Sequence, residues 1–78
     1  MKQPLSERLR AWLTDNGYRE KPSPDTEYTI WYSPNRDDYL YLYKNGDMRY
    51  TETGRFTDAY NINSTIRSRL IAWERKQR

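Results

Sequence analysis

The strongest constraint on this chain is the run Tyr39-Leu40-Tyr41-Leu42-Tyr43, followed directly by Lys44-Asn45-Gly46-Asp47. Side chains of a β-strand alternate between its two faces, so the leucines point one way and the tyrosines the other. Asn-Gly tolerates positive φ at low cost and marks a tight hairpin turn. The turn admits two registers. A two-residue loop, Asn45-Gly46, places Met48 and Tyr50 with the tyrosines. A three-residue loop, Lys44-Asn45-Gly46, pairs Leu42 with Met48, Leu40 with Tyr50, Tyr41 with Arg49 and Tyr39 with Thr51. Register follows the hydrophobic pattern where one face is buried. The three-residue loop, which gathers Leu40, Leu42, Met48 and Tyr50, is therefore preferred.

Helices flank this hairpin. Leu5, Leu9, Trp12 and Leu13 fall at i, i+4, i+7 and i+8, the stripe of an amphipathic helix over about residues 4–16. Pro4 suits its first turn, Gly17 its C-terminal cap, and Tyr18 folds back onto its last turn. Ile66, Leu70 and Trp73 repeat that spacing and predict a second helix over about residues 64–75. Asn63 or Ser64 is expected to cap it. The polar, proline-containing residues 19–26 read as a loop. Residues 27–33 are rich in β-formers and read as a strand, joined by strands at about 39–43 and 48–53. Residues 55–62 carry no clear period; Phe56, Tyr60 and Ile62 are expected to pack over an edge of the core. The expected fold is a small α+β domain of order α-β-β-β-α, a three-stranded antiparallel sheet with both helices on one face, spanning residues 1–78.

Composition narrows the chemistry. The chain has 78 residues, no cysteine and no histidine. Disulfides, thiolate metal sites and every histidine-dependent catalytic device are excluded. Charged residues make up 32%, but three tryptophans, eight tyrosines and one phenylalanine favour a folded core over disorder. Net charge is +3. No apolar run approaches the roughly 20 residues that span a bilayer. Without a secretion signal, Asn63-Ser64-Thr65 reads as a helix cap rather than a glycosylation acceptor. A cytoplasmic location is expected.

Three groups of residues are candidates for function. The first is the outer sheet face: Tyr39, Tyr41, Tyr43 and Arg49, joined from the first strand either by Trp31 with Thr29 or by Tyr28 with Ile30 and Tyr32. Such residue types are enriched at interaction hot spots and also stack unpaired bases. The plain alternatives are cross-strand pairing that only stabilises a small sheet, and burial in a homodimer. The second is the basic last helix, with Arg67, Arg69, Arg75, Lys76 and Arg78 against Glu74 alone. It could lie along phosphates, although cations also sit well at a helix C-terminus without any ligand. The third is an acidic group, Asp37-Asp38 with Asp47 or Asp58. It could serve acid–base chemistry or a divalent cation, as in an unusual nuclease, but acids in turns are ordinarily just solvated.

In topology alone, the helix–three strands–helix order resembles double-stranded-RNA-binding domains and small HicA-type toxin ribonucleases. The sheet histidine of the latter is missing, as is the lysine pair that the former carry at the start of the last helix. The expectation is a non-enzymatic binding module that grips another protein, an occluding inhibitor or regulator of viral or mobile-element origin. The alternative is an RNA- or DNA-binding domain using the basic helix and the tyrosines. The expected binding residues are Trp31, Tyr39, Tyr41, Tyr43, Arg49, Arg67 and Arg69. No catalytic residue, metal or cofactor is assigned, no membrane partner is expected, and the chain should be a monomer or weak homodimer.

Overall fold

The computed structural model describes residues 3–77. Pro4 precedes the first helix, α1 (Leu5–Asp15), and its carbonyl accepts from the amides of Glu7 and Arg8. Past its other end, Gly17 N–H bonds the Thr14 carbonyl and Tyr18 N–H the Leu13 carbonyl, the paired bonds of a Schellman cap. Tyr18 returns to stack on Trp12, ring centres 6.3 Å apart.

Five strands follow in a continuous antiparallel meander: β1 (Arg19–Lys21), β2 (Tyr28–Ser33), β3 (Asp38–Tyr43), β4 (Met48–Thr51) and β5 (Tyr60–Asn61). This corrects the three-stranded expectation. The two additional strands are short edges built from polar residues. Residues 19–21 pair with Tyr32, Trp31 and Ile30, so part of the supposed loop is sheet. Tyr60 and Asn61 pair with Tyr50 and Arg49. Neither edge has the β-branched alternation that announces a strand, because an exposed edge needs only backbone partners. A charged, short edge also discourages pairing with other chains. β4 stops at Thr51, earlier than expected.

The central hairpin has the three-residue loop. Leu42 lies opposite Met48, Leu40 opposite Tyr50, Tyr41 opposite Arg49 and Tyr39 opposite Thr51. Tyr43 and Asp47 close the loop through a 2.8 Å backbone bond. Gly46 adopts φ +93°, and a Cβ there would sit 2.6 Å from Leu5 Cδ2. Glycine is thus required both by backbone conformation and by the approach of α1.

The second helix, α2 (Asn63–Lys76), packs beside α1 on the leucine face. Leu9, Trp12, Leu13, Trp31, Leu40, Leu42, Met48, Ile66 and Leu70 form the core. Asn63 does not cap α2 through its side chain. Its Oδ1 accepts from Met48 N–H at 2.7 Å and its Nδ2 donates to Asp47 at 2.9 Å, tying the helix start to the hairpin. Across the helices, Arg8 donates two bonds to Glu74, at 2.9 and 2.7 Å, and the Trp73 indole donates to Asp15 at 2.7 Å. Arg78, counted above with the basic helix, lies outside the described residues. Among the described residues no helix is long and apolar enough to cross a membrane.

Candidate functional site

Strand pairing sets the outer face of the sheet. Tyr28 lies beside Tyr43, Ile30 beside Tyr41 and Tyr32 beside Tyr39; on the other side of β3, Arg49 lies beside Tyr41 and Thr51 beside Tyr39. The first strand therefore contributes Tyr28, Ile30 and Tyr32. Trp31, counted among the expected binding residues, faces the helices instead. It is 4% exposed, its indole donates to Thr29 at 2.9 Å, and the Arg10 guanidinium covers its ring at 5.5 Å.

The chain between β4 and β5 crosses this outer face as a strap. Thr51, Thr53 and Asp58 link its two ends through hydroxyl and carboxylate bonds of 2.8–3.1 Å. Gly54, at φ +77°, passes so close that a Cβ would lie 2.8 Å from Tyr39 Cε1. A short 3-10 turn (Phe56–Asp58) then lowers Phe56 onto the tyrosines. Its ring stacks on Tyr28 and tilts against Tyr41, centres 5.4 Å apart in both cases, and Arg49 lies over it at 5.8 Å. The expectation that Phe56 covers an edge of the core is thereby corrected: it packs on the opposite side of the sheet.

This strap divides the expected tyrosines. Tyr41 is 4% exposed, and its hydroxyl donates to the Gly54 carbonyl at 3.3 Å. Tyr28, Tyr32, Tyr39 and Tyr43 stay half-buried, while Phe56 is 42% exposed above them. Tyr32 and Tyr39 pack at 4.9 Å, with the Lys21 ammonium over Tyr32 at 5.5 Å. Burial raises the pKa of Tyr41 and Tyr43 above the usual phenol value; for Tyr32 the main cause is its hydrogen bond to Asp37. These phenols stay protonated donors near neutral pH. Phe56 was not among the expected binding residues, because its packing on residues 28 and 41 leaves no local sequence period.

The remaining candidates separate. Arg67 and Arg69 belong to α2, in the layer across the sheet from the tyrosines. Arg67 sits 4.0 Å from Asp47, both side chains exposed. The acidic group does not converge. Asp37 takes φ +56°, and the chain reverses there so that Asp37 accepts from Tyr32 at 2.9 Å while Asp38 is buried beneath the helices. Asp47 engages Asn63, and Asp58 engages Thr53.

No protein-family model, curated protein or solved structure matches this chain. Its five-stranded meander also departs from the helix–three strands–helix order on which the outline resemblance in the sequence rested.

Proposed function

We propose that the protein is a non-enzymatic binding module that grips another protein through the outer face of its sheet, with Phe56 as the anchor. The observation that supports this most is Phe56 itself. A ring stacked on Tyr28, flanked by Arg49, and still 42% exposed costs little further ordering when a partner covers it. Tyr43, packed on Tyr28, and the Tyr32–Tyr39 pair extend the aromatic area along the same face, and Arg49 and Lys21 supply cations already laid on ring faces. Aromatic and arginine side chains of this kind dominate the energy of protein interfaces. Binding would block whatever surface the partner presents, which is the action of an occluding regulator.

Placement also weighs against the nucleic-acid alternative. That reading joins the basic helix to the tyrosines, and the two lie on opposite sides of the sheet. One strand of nucleic acid would have to wrap an edge to use both.

Differential capture from native lysate tests the proposal. Wild type is compared with Phe56→Ser/Tyr43→Ser on the outer face and with Arg67→Ala/Ile71→Ser on α2, after nuclease treatment. A protein held by wild type and by the α2 variant, and lost from the outer-face variant, is the expected result. Equal recovery by all three would end the sheet-face reading. Loss on nuclease treatment, or a steep loss between low and moderate salt, would move the function to nucleic acid.

A further inference from the structure

A cavity of about 470 Å³ opens on the other side of the sheet, between α2 and the strands β3, β4 and β5. Its floor is the Asp38 carboxylate, 5% exposed. Oδ1 accepts from the Tyr18 hydroxyl at 3.2 Å and Oδ2 from the Tyr50 hydroxyl at 2.9 Å. Each oxygen keeps a lone pair for another donor. Desolvation by burial, followed by the charge and hydrogen bond of Asp38, raises the Tyr18 pKa; Arg36 nearby opposes it. Desolvation and the Asp38 hydrogen bond push Tyr50 up to about 12. Both hydroxyls therefore stay protonated and donate to the carboxylate. The walls include the rings of Trp12, Tyr50 and Tyr60, with Tyr60 57% exposed at the opening.

Arg36 and Arg69 also line the cavity. Among the described residues neither has a carboxylate within ion-pairing distance. Guanidinium forks of this kind suit phosphate or carboxylate. Glu52 lines the same space, exposed as the two arginines are, and its charge opposes an anion there.

We propose that this cavity binds a nucleoside monophosphate, with its base against the aromatic walls, a base N–H donating to Asp38, and its phosphate on Arg36 and Arg69. Each lining group selects part of that chemistry. A cation would meet two guanidiniums. An apolar ligand would leave them and Asp38 unanswered. Inorganic phosphate would use the arginines but neither the rings nor the buried acceptor. Guanine fits Asp38 best, because its adjacent imino and amino N–H groups present paired donors to a carboxylate. The volume lies within the range of small-molecule sites. The site is separate from the Phe56 surface, so either can fail without the other.

Titration of the whole chain with GMP, AMP and inorganic phosphate, followed by amide chemical shifts, tests this. Shifts should cluster at Asp38, Tyr50, Glu52 and Arg69, with GMP about tenfold tighter than AMP. Arg69→Ala should weaken GMP at least about tenfold. Glu52→Gln, an exposed change that leaves the core intact, should tighten GMP by removing a repelling charge. Asp38→Asn should erase the preference for GMP over AMP. Absence of shifts in the cavity, phosphate binding as tightly as GMP, or unchanged GMP affinity in Arg69→Ala or Glu52→Gln would each overturn the proposal.

Discussion

At the scale of single residues, burial decides which side chains the fold depends on. Leu40 is 1% exposed and central to the sheet. Leu40→Ala should cost ~2–5 kcal/mol, a large part of the ~5–15 kcal/mol that holds a small domain together. Urea midpoints measure it, and a loss under about 1 kcal/mol would show that the helices do not rest on this leucine. Tyr50 gives a pH prediction. Its pKa is raised from 10 to about 12 in the folded state, so the folded chain keeps a proton that the unfolded chain loses above pH 10. Its contribution is complete below about pH 10 and declines as pH rises toward 12. Stability should fall across that window, and Tyr50→Phe should flatten part of the fall. Equal slopes for wild type and variant would show that burial and the Asp38 bond together do not hold the phenol protonated.

At the scale of elements, the strap between β4 and β5 is the segment whose position matters most to the outer face. Phe56 packs against Tyr41, whose burial is the leading cause of its raised pKa. Phe56→Ala should let water reach the phenol and return its titration toward the ordinary value near 10, followed by ultraviolet absorbance. No change would mean that Tyr41 is shielded by something other than the strap. Gly54→Ala places a methyl 2.8 Å from the Tyr39 ring at a φ that side chains avoid. Hydrogen exchange of residues 53–58 should accelerate while the β3–β4 hairpin stays protected. Similar exchange in both proteins would show that the strap tolerates the methyl. Loops without a hydrophobic period, such as residues 52–59, become readable only when the surface beneath them is known.

At the scale of the whole molecule, two helices share one sheet face and lean on each other through few polar links. Arg8 and Glu74 form a two-bond pair, yet each side chain is about 30% exposed. A double-mutant cycle on Arg8→Ala and Glu74→Ala should give a coupling of no more than about 1 kcal/mol. A much larger value would mean that this pair, rather than the apolar stripe beneath it, sets helix docking. The division of the molecule into an outer aromatic face and an inner polar cavity also belongs to this scale. It separates residues that are close in sequence: Asp37 serves one side and Asp38 the other.

The chain itself determined the helices and the central hairpin. Their signals are local: a 3.6-residue apolar stripe, a two-residue alternation and an Asn-Gly turn act over a few neighbours, whatever the rest does. That is why the three-residue loop and the pairing of Leu42 with Met48 could be read directly. The edge strands could not, because Arg19–Lys21 and Tyr60–Asn61 are held by backbone bonds to distant partners rather than by their own side-chain pattern. Nor could the sites. Tyr18, Asp38 and Tyr50 meet around one carboxylate, and Phe56 meets Tyr28 and Tyr41, only after long loops are closed. Local periodicity carries no record of which distant side chains converge; tertiary packing alone decides that, by burying some groups and leaving others at the surface.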